Sequence, residues 1–223
     1  MPVLISLQLF CDALPRDGAA QMAMDQALLE TVGTPVLRLY RWSEPSVSFG
    51  YSQSLAAVQA GYPAFPLVRR WTGGGVVEHT GDWTFGLVCP MAEPFAQLPP
   101  NDTYRLIHST LVEALQCEGI TARLVAPHES LSGPACFTAP ALHDVFNEFG
   151  TKICGGAQRR TRHGFLHQGS LQKTLVGDDL AQRFATVLAA SVSLFSSSPE
   201  LERRAGELAK GRYAADAWLG KIP

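Results

Sequence analysis

The chain has 223 residues, of which 46% are hydrophobic and 17% charged, and 18 basic and 20 acidic side chains give a net charge of −2. This composition excludes extended disorder, and the near-neutral charge argues against a dedicated nucleic-acid binder. No apolar run approaches the roughly 18 residues that a membrane-spanning helix needs. We therefore expect one domain over residues 1–223, with a helical C-terminal segment from about 199 to 223.

Helix and strand patterns follow one another along the first 125 residues. The apolar run Val3–Phe10 predicts a first strand, and Asp17 is a typical N-cap for a helix that ends near Thr31. The other predicted elements here are paired strands at Val36–Trp42 and Val47–Tyr51, a helix at Ser54–Ala60, strands at Pro66–Trp71 and Trp83–Cys89, a surface loop at Pro90–Pro100, a helix from Asn101 or Asp102 to about Cys117, and a strand at Thr121–Val125.

A long loop, Pro127–Pro140, opens the second part of the chain and contains Cys136. Loops of this length in compact domains often bind ligands. The predicted elements after it are strands at Ala141–Phe149, Lys152–Arg159 and Gly164–Leu171, a helix from Asp178 or Asp179 to about Ser193, and a helix that begins at Pro199. Because strands follow one another in runs, the fold class is α+β, with a mixed, mostly antiparallel sheet flanked by helices.

The five cysteines are odd in number and include no C-x-x-C pair, which fits reduced thiols of a cytoplasmic protein. No basic residue precedes the first apolar run, so the N-terminus does not resemble a secretory signal. Cys136 lies in an irregular loop, where a thiol can be exposed and reactive. Cys154 competes as a nucleophile, although its apolar strand favours packing. The cysteines predicted to be small buried hydrophobes are Cys11, Cys89 and Cys117.

Three consecutive glycines, Gly73–Gly75, follow Arg69 and Arg70 between two predicted strands. The segment matches neither the Walker A loop nor the dinucleotide-binding pattern. Its open backbone would let a ligand approach closely and bind oxygen atoms through exposed amides, although a flexible hairpin turn is an equally good explanation. Adjacent strand residues point to opposite faces, so only one of the two arginines can face a ligand.

A basic stretch runs from Lys152 to Lys173, with five Lys and Arg residues and no Asp or Glu. Such a stretch on a mildly acidic chain predicts an acidic partner or an anionic ligand, while a solvated hairpin is the alternative for its three arginines. Lys152 differs because it opens a strand of small and apolar residues. A metal site is not predicted, since His163 and His167 lie too far apart on a strand.

Taken together, these segments resemble the superfamily of lipoate and biotin protein ligases and octanoyltransferases. The Arg-Arg-x-Thr-Gly-Gly-Gly segment followed by Lys152 is the specific combination. The resemblance implies a fold like that of class II aminoacyl-tRNA and biotin synthetases. The matching segments, which span about residues 3–195, are Gln21–Leu28, Tyr40–Trp42, Ser46–Gly50, Arg69–Gly75 with His79, Gly150–Ile153, Gly156–Gln158 and Gly164–Ser170.

The resemblance also implies a set of site residues. The glycine loop would line an acyl pocket, and Lys152 would contact the carboxyl or thioester carbonyl of the substrate. The loop that contains Cys136 and Phe137 looks like the nucleophile loop of one octanoyltransferase branch. The implied catalytic residues are Cys136 and Lys152, the implied substrate-binding residues are Arg70, Thr72, Gly73, Gly74, Gly75, His79, Gly156, Ala157 and His167, and no metal ligand is implied.

The activity implied by the resemblance is transfer of an octanoyl group from acyl carrier protein, through a thioester on Cys136, to a lysine of a lipoyl-domain protein or glycine-cleavage carrier protein. Lys152 would stabilise the thiolate and the oxyanion, and no cofactor would be needed. Two alternatives stay open: the catalytic subunit of a lipoate-protein ligase, which needs ATP and Mg²⁺, and a degenerate binding protein without turnover. No nucleic-acid or membrane partner is expected, and the expected location is cytoplasmic.

Overall fold

The computed structural model describes residues 2–126, 141–172, 174, 176–177 and 179–221. The predicted loop Pro127–Pro140, and Cys136 with it, lies outside the described residues. No helix in the described ranges is long and apolar enough to cross a membrane. The elements are β1 (Leu4–Arg16), α1 (Gly18–Thr31), β2 (Val36–Trp42), β3 (Ser46–Phe49), α2 (Leu55–Gly61), β4 (Leu67–Arg69), β5 (Val77–His79), β6 (Trp83–Pro90), α3 (Pro94–Gln97), α4 (Pro100–Cys117), β7 (Ala122–Leu124), β8 (Val145–Asn147), β9 (Lys152–Thr161), β10 (Gly164–Leu171), α5 (Leu180–Leu188), β11 (Ala189–Leu194), α6 (Pro199–Leu208), a π-helical turn (Ala209–Tyr213) and α7 (Asp216–Leu219).

The strands form two sheets. Among the described residues, the larger sheet has eight strands in the order β11-β1-β2-β6-β10-β9-β8-β7. β1 runs parallel to both β11 and β2, and the other neighbouring strands are antiparallel. The smaller sheet, β4-β3-β5, pairs β3 with β4 in parallel and with β5 in antiparallel. The predicted α+β class with a mixed, mostly antiparallel sheet is therefore confirmed.

The helices cover both faces of the larger sheet. α4 and α5 bury one face, where Leu37, Leu111 and Phe184 share a core, while α1 and α6 bury the other face around Leu28 and Val36. Burial of each apolar side chain of this kind stabilises the folded state by roughly 1.5–3 kcal/mol relative to leaving it exposed. The predicted N-cap of α1 is confirmed, because the Ala20 N–H donates to the Asp17 carboxylate at 2.8 Å.

Two predictions about the sheets are wrong. The strands β2 and β3 do not pair, because β1 and β6 occupy both edges of β2 and β3 instead joins the smaller sheet. The helix predicted to reach Ser193 ends at Leu188, and the next six residues form β11. β11 supplies the parallel partner that the outer edge of β1 needs, and this long-range contact has no signal in the local sequence.

Candidate active site

A cavity lies between the α1 face of the larger sheet and the glycine loop with its small sheet. The strand register places Gly155, Ser170, Thr84 and Tyr40 side by side across β9, β10, β6 and β2, and all four line the cavity. From the predicted set, the residues that line it are Arg70, Gly74, Gly75, His79, Lys152, Gly156 and Ala157. Segments distant in the sequence thus meet at one cavity.

Lys152, the first residue of β9, is 8% exposed and supplies an ammonium group to the cavity. Its Nζ lies 2.7 Å from Oδ2 of Asp144, which also accepts a hydrogen bond from the Ala141 N–H at 2.6 Å. A Cβ on Gly155 would lie 2.9 Å from Cε and 3.0 Å from Nζ of Lys152, so a larger residue here would displace the end of the lysine. Asp144 was not predicted from the sequence, because the strand predicted over Ala141–Phe149 begins only at Val145 and its pairing with β9 is a long-range contact.

Arg70 holds the glycine loop in shape. Its guanidinium donates to Ser48 Oγ at 2.8 Å and to the carbonyls of Gly73 and Gly75 at 2.9 and 2.7 Å. Burial lowers the pKa of Arg70 to about 10, so the group stays charged at neutral pH. Gly74 has a φ of +84°, a left-handed conformation that favours glycine. The loop that lines the cavity is therefore fixed by an arginine rather than left as an open turn.

Arg69 points the opposite way from Arg70, as the strand geometry predicts. It is fully buried and donates to the carbonyls of Trp218 and Leu219 in α7, at distances from 2.9 to 3.1 Å. It also donates to the carbonyls of Tyr51 and Gln53. Arg69 thus ties the C-terminal segment to the small sheet.

His79 is the centre of a buried polar chain at the cavity wall. Its Nε2 lies 2.7 Å from Ser48 Oγ, its Nδ1 lies 2.8 Å from Asp82 Oδ2, and its ring stacks on Trp42 at 3.8 Å. Burial lowers the pKa of His79 despite the carboxylate, so the ring is neutral near pH 7. The Asp82 carboxylate then accepts a hydrogen bond from the Nδ1–H of His79, and the Ser48 hydroxyl donates a hydrogen bond to Nε2. The sequence motifs predicted His79 as a site residue but gave no role to Ser48 or Asp82.

Two predicted substrate-binding residues, Thr72 and Gly73, do not line the cavity. Thr72 is fully buried and its hydroxyl donates to Gln168 Oε1 at 2.7 Å, while Gln168 Nε2 donates to Asp25 Oδ2 at 2.7 Å. Gln168 itself lines the cavity, whereas Thr72 and Gly73 do not. Thr72 therefore anchors the glycine loop to β10.

His167 lies on the opposite face of the larger sheet from the cavity. It packs on Phe85 and Tyr104, with ring centroids 5.9 and 5.0 Å away, and its Nε2 is 3.2 Å from Nε2 of His108. Side chains alternate along β10, so His167 faces α4 while its neighbour Gln168 faces the cavity. The expected placement of His167 in the cavity lining is therefore wrong.

None of the four described cysteines lines the cavity, so none of them is placed to act there as a nucleophile. Burial raises the pKa of Cys154 strongly and raises that of Cys89 to about 12. Cys11 and Cys117 are exposed rather than buried, because Cys11 lies on the outward side of β1 and Cys117 ends α4, so their predicted burial is wrong. Cys136 lies outside the described residues, and its role stays a prediction.

The basic stretch does not form a single band. Arg159 lies over the rings of Tyr51 and Trp71, at 5.3 Å from each centroid, and Arg160 turns inward to donate to Thr103 Oγ1 at 3.0 Å. Within the described ranges, no group of three His, Cys, Asp or Glu side chains is arranged to hold a metal ion.

Residues 17–199 match the lipoyl protein ligase A/B catalytic domain. The chain belongs to this family. It is 31% identical to octanoyltransferase LipM of Staphylococcus aureus over 78% of this chain and 69% of that protein. It is 33% identical to LipM of Macrococcus caseolyticus, over 73% and 64%, and 30% identical to LipM of Bacillus subtilis, over 78% and 68%. The chain thus spans about two thirds of the length of these relatives.

Solved structures of lipoate-protein ligases share the fold of this family member. Lipoate-protein ligase A bound with ATP superposes with a TM-score of 0.78 at 20% identity, covering 98% of this chain and 100% of that one. A lipoate protein ligase from T. acidophilum with bound lipoic acid gives 0.77 at 20% identity, covering 96% and 98%. The family expected from the sequence motifs is confirmed.

Proposed function

We propose that this chain is an octanoyltransferase that moves an octanoyl group from acyl carrier protein to a lysine of a lipoyl-domain protein through a thioester on Cys136. The relatives named octanoyltransferase support the activity. The observation that carries the proposal is the Lys152 ammonium, which Asp144 holds at one side of the cavity.

The cavity floor is wide enough for an extended eight-carbon chain. Strands lie about 4.8 Å apart, so the floor from Gly155 on β9 to Tyr40 on β2 spans three intervals, or about 14 Å. With standard carbon–carbon bond lengths, an extended octanoyl group is roughly 9 Å long. An acyl carbonyl beside Lys152 would therefore leave the tail over Ser170 and Thr84, short of Tyr40.

The chemistry follows from the charge of Lys152. The Cys136 thiolate attacks the octanoyl thioester, negative charge develops on the carbonyl oxygen, and collapse of this intermediate forms octanoyl-Cys136 and releases the carrier thiolate, which takes up a proton from water. The neutral lysine amine of the acceptor then attacks octanoyl-Cys136, passes through a second oxyanion, gives one proton to water and releases the Cys136 thiolate. An ammonium fixed beside both oxyanions lowers both barriers, because it needs no reorganisation when the charge appears.

The remaining parts of the proposal concern partners and location. Arg159 and Arg162, which are half-buried and exposed, would attract acidic carrier domains, while Arg160 is occupied within the fold. The transferase reaction as written consumes no ATP and needs no metal. A cytoplasmic location stays a prediction.

The test is intact-mass analysis of the purified chain after incubation with octanoyl-acyl carrier protein in the absence of ATP. We expect the mass of one octanoyl group to be added and then removed by hydroxylamine. Cys136→Ala should abolish the adduct, whereas Cys154→Ala, which removes a buried thiol, should retain it. Adduct formation that persists in Cys136→Ala would refute the thioester route. A product that forms only with octanoate, ATP and Mg²⁺ would identify the lipoate-ligase alternative, and binding without adduct or product would identify a binding protein.

A further inference from the structure

Two fully buried histidines, His108 on α4 and His167 on β10, contact each other behind the active site. Their Nε2 atoms lie 3.2 Å apart, with the rings nearly perpendicular at 84°. Nδ1 of His108 lies 2.6 Å from the carbonyl oxygen of His143, and Nδ1 of His167 lies 3.2 Å from Nε2 of Gln158. The proposed mechanism uses neither ring.

These contacts fix the direction of each hydrogen bond. A carbonyl only accepts, so Nδ1 of His108 carries the proton and its Nε2 is bare. His167 must then donate its Nε2 proton to His108, and its own Nδ1 accepts from the Gln158 amide. Burial lowers the pKa of both rings, and the neighbouring His108 lowers that of His167 further. Both rings are therefore neutral, and the Nδ1–H of His108 donates to the His143 carbonyl.

The peptide that receives this hydrogen bond is the one that precedes Asp144. Its carbonyl accepts from His108, while its N–H, that of Asp144, donates to the Ala141 carbonyl at 3.1 Å. His143 has a φ of +71°, an unfavourable conformation for a residue with a side chain. Both ends of this peptide are thus held, and the carboxylate that follows contacts Lys152.

Gly156 lets the histidines approach the strand that carries Lys152. A Cβ at this position would lie 2.6 Å from Cε1 of His167 and 2.9 Å from Nε2 of His108. The rings therefore lie against the backbone of β9, on the face opposite Gly155 and the lysine. The pair is packed directly behind the site while remaining outside the cavity.

We propose that His108 is a positioning residue: through the His143 carbonyl it fixes Asp144, and through Asp144 it holds the Lys152 ammonium in the orientation needed for acyl transfer. His167 orients His108 by supplying the proton that its Nε2 accepts. This inference rests on the proposed octanoyl transfer. It also makes a claim about Lys152 that can be measured without turnover.

The test uses substitutions at His108 that separate its two hydrogen bonds. His108→Asn places an amide N–H near the position of Nδ1 and keeps the bond to the His143 carbonyl, whereas His108→Gln places it near Nε2 and loses that bond. His108→Phe fills the volume with neither bond. We expect kcat for octanoyl transfer to fall about 10- to 100-fold in His108→Phe and His108→Gln, since misplacing a catalytic group by about 1 Å can cost a factor of 100. His108→Asn should stay within about threefold of the wild type, and KM for the donor should change little in all three.

The second readout is the rate at which a limiting amine-reactive reagent labels Lys152, compared with the exposed Lys210 in the same sample. Loss of the His143 contact should raise this ratio in His108→Phe and His108→Gln but not in His108→Asn. His143→Gly keeps the carbonyl and should match the wild type in both readouts. Thermal unfolding of each variant identifies any that do not fold. The variants that do fold then test the positioning role of His108.

Wild-type kcat and labelling ratio in His108→Gln, or an Asn variant as impaired as Phe at equal stability, would overturn the positioning role. A wild-type chain without octanoyl transfer would instead refute the proposed function, and the labelling ratio would still test whether His108 acts on Lys152 through the His143 carbonyl and Asp144.

Discussion

The two faces of β9 at Gly155 and Gly156 show how one strand can serve two separate polar groups. On the cavity face, the flexible end of Lys152 lies on Gly155 beside Asp144. On the opposite face, the rigid rings of His108 and His167 lie against Gly156. Adjacent glycines thus make room for a charged, movable group on one face and for a neutral, fixed pair on the other. A substitution that fills the space at Gly155 should mainly affect activity, and one that fills the space at Gly156 should mainly affect stability.

The largest effect is expected from removing the charge on the cavity face. Lys152→Met should lower the rate of octanoyl transfer by about 10²- to 10³-fold, because the developing oxyanion loses its fixed positive partner. Steady-state transfer to a lipoyl domain measures this effect, and Lys210→Met, which removes an exposed charge, is the matched control. A Lys152→Met variant within threefold of wild type would exclude the lysine from catalysis.

The paired glycine substitutions test the comparison directly. In Gly156→Ala the new methyl group meets rigid imidazole rings, so we expect a loss of about 1–3 kcal/mol in the free energy of unfolding, the usual range for overpacking. In Gly155→Ala it meets the movable end of Lys152, so stability should change less while kcat falls. Urea denaturation and steady-state kinetics measure the two quantities. Equal stability losses at both positions would contradict the assignment of the two faces.

A smaller effect is expected from pH. Burial lowers the pKa of His79, His108 and His167 below the ordinary value of 6.5. As the pH falls below about 6.5, the unfolded chain therefore takes up these protons first, and the free energy of unfolding decreases. Above that pH the three groups contribute no pH dependence. Urea denaturation between pH 7.5 and 5.5 should show this decline, with a shallower slope in His108→Asn; a slope unchanged by that substitution would argue against a depressed pKa of His108.

The sequence was sufficient to predict what depends on local patterns. The Asp17 cap, the strand before the glycine loop, β6, β9 and β10, and the opposite directions of Arg69 and Arg70 all follow from residue type and spacing, whereas β5 was not predicted. The motif order also identified the family, and with it seven of the residues that line the cavity.

The parts that could not be predicted depend on contacts between distant segments. β11 forms because β1, about 185 residues earlier, offers a free edge, and β3 leaves its neighbour β2 for another sheet. His167 was assigned to the wrong face because a resemblance of motifs does not fix which of two adjacent polar residues points inward; the structure gives that place to Gln168. Asp144 becomes significant only once β8 is paired with β9.

The hydrogen bonds from Arg69 to α7 couple the C-terminal segment to the glycine loop. Removal of Trp218 and Leu219 would leave the buried guanidinium of Arg69 without two of its carbonyl acceptors. Arg69 is the neighbour of Arg70, whose guanidinium binds the carbonyls of the glycine loop. A buried cation deprived of acceptors draws in water or shifts its backbone, and either response would reach Arg70 through the peptide bond they share. Shortening the chain at a site remote from the cavity should therefore loosen the very wall against which an acyl group would lie.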